Sequence, residues 1–312
     1  MDGEPLINLH SHLEGRVRPG TAAELAAAAG VPEPAGGWGR ALRLDGPADL
    51  TTYLDKVAAS FPFLADADRV VRITCEAVED AAADGVTHLE LRFGPATHAR
   101  PGLDVDTLVR AACEGVQEGT RRTGLPAGLV ICALRRRDEE TNLAVARAAA
   151  RRAGDGVVGF DLAGDESRRP QLEPFASAFA VARAAGLGLT CHAAEAAPAA
   201  AAREAVRLFG VTRIGHATRV ADDPEALRWA ADSGVVIEVC PTSNWYTGAV
   251  ASVADHPALR FARAGVPVVL GDDNPVQTGS PMSAEHRVLA GLGFTAADLA
   301  GLARTSEQAA FR

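Results

Sequence analysis

Lysine is nearly absent from this chain: Lys56 is the only one in 312 residues, and it lies in no apolar run. That excludes hydrolases whose two metal ions are bridged by a carbamylated lysine borne on a strand. No apolar run approaches the ~18 residues of a membrane span, so no membrane partner is expected. No leader-like stretch precedes His10. The five cysteines are odd in number, scattered and without a C-x-x-C pair. They read as reduced thiols in a cytoplasmic protein. Basic charge is also short: the net charge is -9, and no basic stripe offers a nucleic-acid footprint. H-E-x-x-H, a P-loop, G-x-G-x-x-G, the H-x-E…P-C-x-x-C zinc pattern and a nucleophile elbow are all missing.

Short apolar runs, by contrast, recur eight times, at 6–12, 88–95, 128–134, 157–162, 189–193, 213–216, 235–240 and 266–271. Stretches with helical spacing separate them. Residues 66–83 put Val70, Ile73, Ala77 and Ala81 on one face, and Asp104 precedes VDTLVRAACEGV as an N-cap. Eightfold strand–helix alternation predicts a (β/α)8 TIM barrel, one domain over 1–312. The excursion 15–68, after the first strand, is too long for a simple loop. It should hold helices near 22–29 and 48–60, with VPEPAGGWGR as a loop between them, and should form a helical lid over the barrel mouth.

Polar groups cluster where the apolar runs stop. His10 and His12 are spaced i, i+2, which puts both imidazoles on one face of a strand. The other reading is a pair of hydrogen-bonded loop histidines. His192 and Glu195 end LGLTCHAAE; Glu195 suits a general acid/base beside a metal, or equally a first-turn acid of the next helix. His216 ends TRIGHA, as a polar neighbour of the reacting atoms or as a satisfied core histidine. Asp272 and Asp273 end VPVVLGDD, as one ligand with its neighbour turned away, or as an acidic turn. Three histidines and one aspartate so delivered make an N/O zinc site.

The chain resembles the adenosine deaminase family of metal-dependent barrel hydrolases. The resemblance runs through HSHLEG (10–15), HLELRFGP (88–95), GFDLAGDE (159–166), CHAAE (191–195), RIGHA (213–217), CPTSNWYTGAV (240–250) and GDDNP (271–275), in order. It implies one Zn²⁺ per chain on His10, His12, His192 and Asp272. It implies Glu195 and His216 as the catalytic pair, with Glu195 exchanging a proton with the purine ring and His216 orienting the attacking oxygen. It implies Asp273 and the backbone of Gly164 at the purine, and Glu14 at the sugar. The implied reaction is deamination of adenosine or a close 6-aminopurine nucleoside to the 6-oxo product and ammonia. Free adenine or a modified nucleoside such as aminodeoxyfutalosine is the alternative. Glu14, Gly94, Ala194, Ala217 and Asn274 depart from the usual family residues, and they put the substrate rather than the chemistry in question.

Overall fold

Each apolar run is buried on both faces, which a strand inside a ring of helices requires. In a computed structural model describing residues 4–312, these runs become eight parallel strands. They are β1 Leu6–His12, β2 Val86–Phe93, β3 Ala127–Leu134, β4 Val157–Ala163, β5 Gly188–Ala193, β6 Arg213–His216, β7 Val236–Val239 and β8 Val268–Leu270. They neighbour one another in chain order, with helices between them, as in a (β/α)8 barrel. The expected unit 1–312 includes residues 1–3, which lie outside the described residues. No described helix is long and apolar enough to cross a membrane.

The ring closes at the site. The segment after β8 meets β1 through Asp273 N–H to His10 O at 2.9 Å and His12 N–H to Asp273 O at 2.7 Å. Gly271 permits this approach, since a Cβ there would stand 2.5 Å from both Cβ and O of His10.

The interior is not the usual layering of branched aliphatics. At the bottom, Arg213 pairs with Glu90, and its guanidinium lies 3.6 Å from the Phe311 ring centroid. Above them, Arg92 bridges Asp161, at 2.8 Å, and Glu238. All five charged groups are buried. Each is paired, which is the condition under which buried charge is tolerated.

Between β1 and β2 run α1 Pro19–Ala28, α2 Gly37–Leu42, α3 Leu50–Ala58 and α4 Ala67–Ala83. α2 begins inside the segment expected to be a loop: Gly37-Trp38-Gly39 is a poor helix former, but burial of Leu42 and an edge-on contact of Trp38 with Phe63 at 5.0 Å hold it. α3 is capped by Asp49, which accepts from Thr52 N–H at 2.7 Å. Tyr53 and Val57 turn inward from it, and the helix lines the cavity above the strand ends.

Candidate active site

His10 and His12 leave the end of β1 on one face, and β5 delivers His192 beside them. His12 Nε2 and His192 Nε2 face each other at 3.2 Å. Asp273 Oδ1 stands 3.3 Å from His12 Nε2 and 3.8 Å from His10 Nε2. Donors about 2.0–2.1 Å from one zinc sit roughly 3.3 Å apart at the corners of a tetrahedron. His10 Nε2 is buried and has no hydrogen-bond partner. An orphaned lone pair aimed into a cluster of N and O donors fits a resident metal ion.

The rings are oriented from below. His10 Nδ1 donates to Glu238 at 2.9 Å, and His192 Nδ1 lies 2.9 Å from Asp161. Such carboxylates fix which nitrogen faces the metal. Burial, helped by Arg92, holds His10 well below the usual imidazole range, and burial pulls His12 down to about 4 despite Asp273. Burial acts the same way on His192, but the Asp161 carboxylate outweighs it and raises that ring. Sequence reasoning missed Glu238 and the supporting role of Asp161. The signal was available: an acid inside VVIEVC or GFDLAG must be buried, and a buried acid needs partners.

The structure places Asp273, not Asp272, beside the histidines. Asp272 points the other way, into an ion pair with Arg16 at 2.5 Å. Asp273 has φ 55°, a left-handed conformation that turns its carboxylate back over the strand ends. There it accepts from Tyr53 OH at 3.1 Å, from Asn274 Nδ2 at 2.8 Å and from Ser243 Oγ. The next residue toward the cavity is Asn274, whose Oδ1 is buried without a partner. Pro275 was the available anchor, because the family's paired aspartates directly precede a proline.

Glu195 follows β5 on a tight turn. Glu166 holds that turn, its carboxylate accepting from the N–H groups of Ala194, Glu195, Ala196 and Ala197 at 2.8–3.0 Å. Glu195 Oε1 accepts from Asn244 Nδ2 at 2.8 Å and Thr247 Oγ1 at 2.7 Å. Its Oε2 lies 3.9 Å from His216 Nε2. Asn244 Nδ2 also reaches His216 Nδ1, at 3.1 Å. The only described non-glycine residues with positive φ are Ala194, His216, Ala217 and Asp273, all at strand ends around this site. Backbone strain of that kind collects where a fold is made to aim side chains. Ala194 and Ala217 stand where the family pattern has glycine, and both adopt the conformation glycine adopts most readily.

A cavity of about 720 Å³ opens above, lined by Glu14, His12, Gly164, His192, Glu195, His216 and Asp273 among others. Gly164 has φ +112°, which itself calls for glycine. Glu14 is on the wall, but its Oε1 accepts from Gly94 N–H at 3.1 Å and lies 3.4 Å from His98 Nε2. Its carboxylate is therefore partly committed to the protein. The fourth wall is α3, with Leu50, Tyr53, Leu54 and Val57.

A family model described as adenosine deaminase matches residues 5–312. An adenosine deaminase of Enterococcus faecalis is 32% identical over 289 residues, covering 92% of this chain and 85% of that protein. The solved adenine deaminase of Arthrobacter aurescens is 27% identical with a TM-score of 0.90, covering 99% of this chain and 94% of that one. An amidohydrolase from Burkhoderia ambifaria, solved with bound Zn, is 28% identical with a TM-score of 0.90, covering 99% and 86%.

Proposed function

Because the chain belongs to the adenosine deaminase family and is an aminohydrolase, we propose that it deaminates adenosine or a closely related 6-aminopurine nucleoside. The observation that carries this is the cluster of His10, His12, His192 and Asp273 with Glu195 and His216 beside it, at the bottom of a cavity of about 720 Å³. His10, His12, His192 and Asp273 would hold one Zn²⁺, with Asp273 in the place expected for Asp272. Bound there, zinc lowers the pKa of water toward ~7 and so supplies a nucleophile at neutral pH.

The remaining steps belong to the side chains. Glu195 is gripped at Oε1 and free at Oε2, so it holds a proton there and passes it to the purine ring nitrogen beside the amine-bearing carbon. Ring protonation relieves the cost of breaking aromaticity when that carbon is attacked. His216 Nε2 faces the same space and orients the attacking oxygen. The Gly164 backbone approaches the base, and Asn274 stands at the imidazole side of the purine, the place expected for Asp273. Glu14 borders the sugar. The 15–68 excursion acts as a lid through α3, which closes the cavity against water.

One observation favours a second reading, a modified adenine nucleoside. The cavity exceeds a base, and Arg136, Arg168 and Arg169 line its rim. Arg168 is 3.5 Å from Asp165, whereas Arg136 lies over Phe61, 5.6 Å from the ring centroid, and bonds Thr97 at 2.7 Å. Arg136 makes no ion pair among the described residues, so it is free to meet an anionic substituent on the ribose. Aminodeoxyfutalosine carries such a group, and free adenine does not.

Ammonia release across adenine, adenosine, 2′-deoxyadenosine, 5′-AMP and aminodeoxyfutalosine tests both readings. No ammonia from any of them would sink the function. If the second reading holds, Arg136→Ala lowers kcat/KM for the best anionic substrate about tenfold or more and leaves adenosine within about twofold; tenfold is roughly 1.4 kcal/mol of lost contact. Equal losses on both substrates would remove Arg136 from substrate recognition.

A further inference from the structure

His256 is a buried histidine with no part in the proposed reaction. It is 4% exposed and lies in the loop before the helix Ala258–Arg263, outside the cavity lining. We infer that His256 is a positioning residue which, through Asn244, sets the tautomer of His216 and the orientation of Glu195. This rests on the roles proposed above for those two residues.

The inference follows from one backbone N–H. The first amides of a helix have no partner within it. Ala258 N–H turns to His256 Nδ1 at 3.2 Å. A backbone N–H only donates, so Nδ1 must present its lone pair. Burial pulls the His256 ring down to about 3, so it is neutral near pH 7 and carries its one proton on Nε2. That Nε2–H donates to Asn244 Oδ1 at 3.0 Å.

The Asn244 amide is thereby fixed. Flipping it would set N–H against N–H at His256 and oxygen against oxygen at Glu195. Its two Nδ2 hydrogens are used at 2.8 Å on Glu195 Oε1 and 3.1 Å on His216 Nδ1. An amide N–H only donates, so His216 Nδ1 is an acceptor and bare, which puts the ring proton on Nε2, the nitrogen facing Glu195 Oε2. A nitrogen that carries a proton donates to an oxygen and does not ligate a metal. Of the two donor clusters among the described residues, His10–His192–His216 and His10–His12–Asp273, this arrangement removes His216 from the first and leaves His192 to join the second. His216 is left to act on the attacking oxygen.

Two readouts test the assignment. Nitrogen-resolved NMR of the imidazoles in metal-free wild-type protein reads the tautomer without substrate or activity. The expected state has His256 and His216 both protonated on Nε2 and bare on Nδ1; a proton on His216 Nδ1 would overturn the inference. In the zinc-loaded enzyme, His256→Phe removes the donor. It is expected to lower kcat about a hundredfold, the scale of an ångström-level misplacement, with KM within about threefold and zinc content unchanged. His256→Gln keeps an N–H donor near Nε2 and is expected to recover kcat to within about tenfold of wild type. Unchanged kcat in His256→Phe, or a glutamine variant as slow as the phenylalanine one, would contradict it. Should His256→Phe fail to fold, the wild-type tautomer and the glutamine variant still decide. A wild type that deaminates no purine would remove the proposed function while leaving the tautomer readout to stand or fall separately.

Discussion

Glu195→Gln is expected to lower kcat by about 10²–10⁴-fold, the contribution of one positioned proton donor, with fold and metal content unchanged. The geometry makes the substitution mild for structure. Both bonds to Glu195, from Asn244 at 2.8 Å and from Thr247 at 2.7 Å, end on Oε1. A glutamine carbonyl accepts both, and its amide takes the place of Oε2, the oxygen that handles the proton. The Glu166 carboxylate below still clamps the turn. Steady-state turnover beside elemental analysis of the same sample checks it. Loss of zinc in this variant would make Glu195 a ligand and reverse the assignment; near-wild-type turnover would remove it from proton transfer.

The adjacent aspartates should separate cleanly. Asp273→Asn is expected to lose most of its metal on dialysis while unfolding close to wild type, since the amide still engages Tyr53 and Ser243. Asp272→Asn is expected to keep its metal but lose about 3–5 kcal/mol of stability, the usual cost of breaking one side of a buried ion pair. Arg16, 5% exposed, would be left without the carboxylate it meets at 2.5 Å. Denaturant unfolding and metal content, measured on both variants, give the answer. If Asp272→Asn is the variant that loses metal, the carboxylate ligand is the one first expected and Asp273 returns to the substrate side.

The confusion between those two residues has a physical cause. Side-chain direction can be counted along a strand only while the backbone stays extended, because successive residues alternate faces. β8 ends at Leu270, and Asp273, at φ 55°, breaks the alternation. The strands themselves were legible because each is a continuous apolar run: β1, Leu6–His12, and β6, Arg213–His216, fall where the runs begin and end. The cap Asp104 was legible too, as a short acid ahead of an amphipathic face, and it accepts the N–H three residues on. α2 was not, since its helix is held by Trp38 and Leu42 against the body rather than by propensity. His256 had no spacing to announce it. It meets Asn244 only after the chain turns through Thr247–Asp255, and its importance comes from the direction of one amide.

The most direct measurement is metal-dependent ammonia release, with zinc content taken on the same preparation. The expected result is one zinc per chain, with ammonia and 6-oxopurine appearing in equal amounts from adenosine or its modified relative. Activity should be lost on chelation and regained with one equivalent of zinc. Protein that carries its full zinc and releases no ammonia from any 6-aminopurine, or that turns over undiminished after complete chelation, would contradict the reading of this site.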